Sequence, residues 1–125
     1  MKKQVIKVPM FTNSLLSHGV RVGDLVFTSG ELAIDPQTGA AVDGDIRAQT
    51  ARTLDNLKLI LTTAGTSLEQ AVKVTVYLRN WDDFDGFNEV YRTYFTVDPP
   101  CRTTTQAARL ARQFLIEIEI IAAVP

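Results

Sequence analysis

The segment Pro100–Val124 reads PCRTTTQAARLARQFLIEIEIIAAV. It begins with a β-branched run, Arg102-Thr103-Thr104-Thr105, passes through loop-like residues Ala107–Gln113, and ends in a strand starting at Phe114. Strict alternation puts Ile116, Ile118 and Ile120 on one face of that strand. Leu115, Glu117, Glu119 and Ile121 fall on the other. Two carboxylates in so apolar a strand are costly unless cations or hydrogen-bond donors answer them. Arg102 is the expected partner, and a guanidinium facing a carboxylate across a cleft suits a small carboxylate-bearing substrate and a water molecule.

Working back toward the amino terminus, Pro99 and Pro100 bar any helical continuation. Before them, Trp81-Asp82-Asp83 caps a predicted helix that runs to Phe95, with Phe84, Phe87, Asn88, Tyr91 and Phe95 on one face. That aromatic stripe reads most simply as core. Ala71–Asn80 alternates as a strand, Val72, Val74, Val76 and Leu78 against Lys73, Thr75, Tyr77 and Arg79. A longer helix opens at Asp43-Gly44-Asp45, where either Asp suits the N-cap. Ile46, Thr50, Leu54, Leu57, Leu61 and Ala64 make its buried stripe, Arg47, Gln49, Arg52 and Asp55 its remainder, and Gly65 its C′ residue. Asp35-Pro36-Gln37-Thr38-Gly39 is a surface turn. Leu25–Ser29 reads as a buried strand between the Gly23-Asp24 turn and Gly30, Phe11–Gly19 as irregular, and Gln4–Val8 as a first strand stopped at Pro9.

This order predicts an α+β fold: one domain over residues 1–125, two helices on the same side of a single mixed sheet. The other sheet face is too apolar to leave wet and too polar for a private core. Burial between copies in a symmetric oligomer resolves that conflict.

A chain of 125 residues can bury roughly two-thirds of its unfolded surface, so neither disulfide nor metal is needed for stability. The net charge of −1 and pI near 5.7 argue against a phosphate-backbone binder, and no nucleic-acid partner is expected. The single cysteine, Cys101, fits a reducing compartment. MKKQVIKVPMF lacks the apolar stretch of a signal peptide, and no run is long enough to span a bilayer. The expectation is a cytoplasmic protein with no membrane partner.

Nearly the whole chain resembles the RidA/YjgF/UK114 family. The resemblance is carried by Phe27-Thr28-Ser29-Gly30, Asp35-Pro36-x-Thr38-Gly39 and Gln49-x3-Thr53-Leu54-Asp55-Asn56-Leu57. It continues through Val74-Thr75-Val76-Tyr77-Leu78 and Phe87-Asn88-x2-Tyr91-x3-Phe95, and closes with Pro100-x-Arg102 and Leu115-Ile116-Glu117-Ile118-Glu119. It implies a chorismate-mutase-like fold, a homotrimer with clefts between subunits, and hydrolysis of reactive enamines and imines to 2-keto acids and ammonia without a cofactor. By the same resemblance Arg102 holds the substrate carboxylate, Glu117 positions the attacking water, the Gly30 backbone lines the cleft, and Asn88 lies near it. The chain departs from the family pattern at Leu16, where a Tyr is usual, at Thr104, where many members have Cys, at Glu31 in place of Gln, and at Cys101 in place of a small residue. Leu16 alters the pocket wall, and Glu31 adds a negative charge near a carboxylate site.

The chemistry of the residues agrees with these roles. A planar guanidinium clamps a carboxylate better than an ammonium does, although a structural ion pair with Glu117 or Glu119 is the bland alternative for Arg102. Burial would raise the pKa of Glu117 toward that of a useful base, whereas Arg102 beside it would lower it. Glu119 reads as an ordinary strand residue. Thr104 could hydrogen-bond a substrate or be an ordinary strand threonine, and His18 could lend a proton or a hydrogen bond or simply be solvated. His18 with Ser14 or Ser17 suggests a hydrolase triad only on paper, since the sequence offers no base-orienting partner. Cys101 has no CxxC and no second thiol, so no metal site is expected. Two other readings stand: a deaminase for a larger unsaturated amino acid resembling 2-aminomuconate, and a non-catalytic trimer that binds small metabolites or acts as a holdase. Ribonuclease activity lacks the basic-aromatic stripe it would need.

Overall fold

The computed structural model describes residues 1–125. The chain runs β1 (Lys3–Ile6), β2 (Gly19–Val22), β3 (Leu25–Thr28), α1 (Ile46–Thr63), β4 (Ala71–Leu78), α2 (Phe84–Tyr94), β5 (Cys101–Gln106) and β6 (Ile116–Ala123). Short 3₁₀ turns at Leu68–Gln70 and Trp81–Asp83 lead into β4 and α2. The six strands form one sheet in the order β1-β2-β3-β6-β4-β5, antiparallel except for the parallel β4–β5 pair. α2 is the crossover that a parallel pair requires.

The alternation in β6 holds residue by residue. Ile116, Ile118, Ile120 and Ala122 are buried, and the residues between them are half-exposed. β6 lies centrally because that row of β-branched side chains packs best when covered by a helix, here α1, and flanked by strands on both sides. Val74, Val76 and Leu78 of β4 extend the row, and Leu54, Leu57, Ile60 and Leu61 of α1 close over it, all with no exposed surface. Each such side chain contributes roughly 1.5–3 kcal/mol relative to exposure. α1 begins at Asp45, whose carboxylate accepts from Ala48 N at 3.0 Å, so the second of the two candidate N-caps is the one used. It ends with Gly65 at φ +87°, a backbone shape that favours glycine. The bonds from Gly65 N to Thr62 O and from Thr66 N to Leu61 O complete a Schellman stop.

Three local expectations change. Gly19–Val22, read as part of an irregular stretch and a turn, forms β2, which pairs with β3 in a hairpin closed by Gly23-Asp24. Val72 does not join the inward row: the β4–β6 register jumps from Ala71 to Lys73, and this bulge leaves Val72 46% exposed. Gln49 faces inward instead of outward, because its side-chain oxygen accepts Leu115 N at 2.8 Å and ties α1 to the start of β6. Both helices pack on the same sheet face, as expected. No helix is long and apolar enough to cross a membrane.

Candidate functional site

β5 is an edge strand, and its register sets where Arg102 points. Arg102 lies opposite Val74, and Thr104 opposite Val76, so both side chains sit on the face covered by the helices. There α2 offers residues at three- and four-residue spacing. The Arg102 guanidinium lies 4.7 Å from the Tyr91 ring centre, 5.1 Å from Phe87 and 5.8 Å from Phe84. Its Nη1 donates to Asn88 Oδ1 at 2.8 Å. The stripe read as plain core is therefore also the bed for a cation.

No carboxylate neutralises Arg102; the ion pairs of the chain involve His18, Arg21 and Arg47. Only one of its N–H groups is donated within the chain, which leaves most of its fork free. Thr104 Oγ1 and the Tyr91 hydroxyl are buried without a partner. Burial pushes the Tyr91 hydroxyl pKa up, against the opposing pull of Arg102. Unmet polar atoms are costly in a closed interior but suit a surface that receives a polar ligand. Tyr91 is a site candidate that reading the stripe as core concealed.

Glu117 and Glu119 occupy the opposite sheet face, across from Tyr77 and Thr75. The sequence-based expectation that Arg102 answers these carboxylates fails within one chain. β4 separates β5 from β6, a lateral step of about 10 Å, and the alternation sends the side chains to different faces. Instead the Tyr77 hydroxyl donates to Glu119 Oε1 at 3.1 Å. Glu117 is half-buried, and its pKa is raised first by burial and then by the negative charge of Glu119.

Gly30 lies against Glu117 so closely that a Cβ there would overlap Oε2 and come within 2.9 Å of Cδ. Glycine is what lets this carboxylate rest on the backbone. Glu117 opens into a recess of ≈ 370 Å³ shared with Gly30, Tyr77, Arg109, Leu110 and Glu119. The loop that carries Arg109 is held from below by Arg79, which donates to Phe114 O at 2.7 Å, Leu110 O at 3.1 Å and Arg112 O at 2.7 Å. Arg109, the one cation lining this recess, was not singled out from the sequence.

Glu31 is not a bare negative charge. Both of its carboxylate oxygens lie 3.0 Å from His18 Nδ1, and the His18 ring meets Phe11 edge-on at 5.1 Å. Glu31 thus supplies the orienting partner for His18 that the sequence did not reveal, but no serine hydroxyl bonds to the imidazole. Glu31 is 5% exposed. Burial drives its pKa up to about 7 against the opposing influence of His18. Leu16 is exposed in a wide recess between β1, β2 and the Pro9–His18 loop. Cys101 is exposed and free. No group of three or more His, Cys, Asp or Glu side chains is arranged to hold a metal ion.

The sequence profile described as endoribonuclease L-PSP matches residues 3–124. The chain belongs to the RidA/YjgF/L-PSP family. A RutC family protein of Pyrococcus abyssi is 47% identical over 106 residues, covering 85% of this chain and 84% of that protein. The Salmonella typhimurium 2-iminobutanoate/2-iminopropanoate deaminase is 39% identical over 107 residues, covering 83% of each. Among solved structures, Escherichia coli TdcF with bound serine superposes with a TM-score of 0.89 at 34% identity, over 96% of this chain and 98% of that one. The α+β architecture with two helices on a six-stranded mixed sheet is therefore that of RidA-family structures.

Proposed function

We propose that this RidA-family protein hydrolyses reactive enamine and imine intermediates of the 2-aminoacrylate and 2-iminopropionate type to 2-keto acids and ammonia. The observation that carries the reading is Arg102, a guanidinium with no carboxylate partner, aimed by Asn88 and three aromatic rings. Such a group binds a substrate carboxylate through two parallel hydrogen bonds. Thr104 Oγ1, with no partner of its own, adds a further contact. The relative that bears the name 2-iminobutanoate/2-iminopropanoate deaminase and the serine-bound TdcF support a small amino-acid-like ligand.

In the reaction an enamine first tautomerises to the imine. Water adds to the C=N carbon while Glu117 takes one of its protons. Starting from the protonated imine, that proton returns to the nitrogen of the carbinolamine, the remaining hydroxyl proton passes to the Glu117 carboxylate as the C–N bond breaks, and ammonia leaves a C=O group behind. The raised pKa of Glu117 suits a base that must be both ionised and competent to accept a proton. Holding electrophile and water together supplies the rate by proximity. Since Arg102 and Glu117 face opposite ways in one chain, the substrate lies where the β5–α2 edge of one copy meets the open sheet face of another. A homotrimer with three such clefts satisfies this geometry.

Arg109 beside Glu117 favours one second reading, an unsaturated amino acid with a distal carboxylate. The test generates 2-aminoacrylate in situ and follows keto-acid release with wild type, Arg102→Ala and Glu117→Gln. Wild type accelerates release, Arg102→Ala abolishes the acceleration, and Glu117→Gln reduces it clearly but less. Equal rates in all samples would leave a non-catalytic binding trimer or holdase. Light scattering reads the assembly, and a monomer would remove the shared cleft.

A further inference from the structure

Glu31 is stapled to β6 next to the residue proposed to handle water. Its N–H donates to Ile118 O at 2.8 Å and its C=O accepts from Ile118 N at 3.1 Å, one position beyond Glu117. Its side chain is buried, and its hydrogen-bond partner is the His18 imidazole, whose Nδ1 is shared by both carboxylate oxygens. His18 itself is 20% exposed, and its ring borders the recess toward β1 and β2, so protons can reach the pair from solvent. This hydrogen bond lets the buried carboxyl and its one imidazole neighbour share a proton.

We propose that His18 and Glu31 are a positioning pair for imine hydrolysis, and that the proton they share sets the charge felt by Glu117 and by the anionic substrate beside it. The proposal rests on the assignment of Glu117 as the water-handling group. With its proton the pair is neutral and the site accepts a carboxylate. Without it, a buried negative charge sits behind Glu117 and opposes the anion. The ionised Glu117 raises the pKa of Glu31, and linkage makes that influence reciprocal.

From β1 and the residue after it, Lys3 and Lys7 line the recess that His18 borders. From α1, Arg52 reaches the region only through Asn56, to whose side-chain oxygen it donates at 3.1 Å. Glu119 from β6, Tyr77 from β4 and Arg109 from the loop after β5 face Glu117 across the recess. None of them bonds to Glu31.

His18 is the only histidine in the chain, so its ring signals in an NMR pH titration read the pair without assignment ambiguity and without substrate. The experiment records these curves for wild type, Glu31→Gln and Glu117→Gln, and the pH dependence of kcat/KM for wild type and Glu31→Gln. In wild type the His18 signals carry a step near pH 7, where Glu31 titrates. That step disappears in Glu31→Gln and moves to lower pH in Glu117→Gln, where a neighbouring negative charge is gone. The ratio of kcat/KM for Glu31→Gln to that for wild type rises several-fold from pH 6 to pH 8. The substrate's own titration cancels in this ratio. A flat ratio, or His18 curves that superimpose in wild type and Glu117→Gln, overturns the proposal. Full activity in Glu117→Gln instead overturns the hydrolytic assignment on which it rests, a failure visible separately from the NMR result.

Discussion

If Arg102 and Glu117 serve one substrate, two defective chains can repair each other. Arg102 shares its register row with Val74, and Glu117 shares its row with Tyr77. The two side chains therefore leave the sheet on opposite faces, and every cleft takes its guanidinium from one copy and its carboxylate from a neighbour. In a 1:1 co-assembly of Arg102→Ala and Glu117→Gln chains, a cleft is intact when the copy that supplies the guanidinium keeps Arg102 and its neighbour keeps Glu117. Each condition holds half the time, so about one quarter of wild-type activity returns in any closed ring of identical subunits. The assay is keto-acid release from 2-aminoacrylate by the two variants alone, mixed after folding, and unfolded then refolded together, with light scattering to confirm the same assembly. Activity above the average of the two variants, seen only in the co-refolded sample, is the expected result. A co-refolded sample no faster than the average of its components would refute the split site, and with it the argument from strand parity.

Other perturbations read the same geometry. Gly30→Ala adds a Cβ that overlaps the Glu117 carboxylate; the flexible side chain gives way, so the melting temperature changes little, while displacement by about 1 Å costs on the order of 100-fold in kcat/KM. Arg102→Lys keeps the charge but loses the fork and its stacking on α2, and kcat/KM is expected to fall at least about 10-fold with far-UV circular dichroism unchanged. For Glu31, burial lifts the folded pKa to about 7 from 4.5. Its stabilising contribution is thus complete below pH 4.5 and fades as pH rises through 7, by up to about 3 kcal/mol. Urea unfolding from pH 4 to 8 should show that decline in wild type and a flatter profile in Glu31→Gln. Asn56 donates to Leu32 O at 3.2 Å and Ile34 O at 2.7 Å; in Asn56→Leu the Leu32 carbonyl keeps Ile34 N at 2.8 Å but the Ile34 carbonyl loses its donor, which lowers unfolding free energy by roughly 1–3 kcal/mol.

What the sequence showed of the fold came from long, periodic segments. The alternation of β6 and the stripe and caps of α1 each repeat a signal over many residues, and each is found in the structure. β2 escaped notice because four residues, Gly19–Val22, carry too little periodicity, and their half-buried side chains show no clean alternation. Gln49 and Val72 were placed on the wrong faces for a different reason. One is drawn inward by a backbone N–H some sixty residues away in the chain, and the other is displaced by a bulge that exists only once β4 meets β6. Pairing decides both outcomes, and one strand or helix read alone does not contain the pairing.

The candidate site divides along the same line. Arg102, Asn88 and Tyr91 converge because α2 crosses directly onto β5, and their neighbourhood follows from chain order and helical spacing. Of that convergence, the family resemblance implied Asn88 near Arg102, while Tyr91 was read only as core. The relation between Arg102 and Glu117 could not be read from the sequence, because it depends on an odd or even count through β4 that a one-residue slip would reverse. With the register in place, parity forbids the simple picture of both groups facing one cleft in one chain. It turns an unpaired guanidinium on one face and an unanswered carboxylate on the other into two halves of a single requirement. Nothing within one copy neutralises Arg102, and Glu117 is left with burial and Glu119 as its main influences. The electrostatics of the isolated chain are therefore unfinished in complementary ways, and the proposed cleft, which brings the guanidinium of one copy to the carboxylate of a neighbour, would complete both.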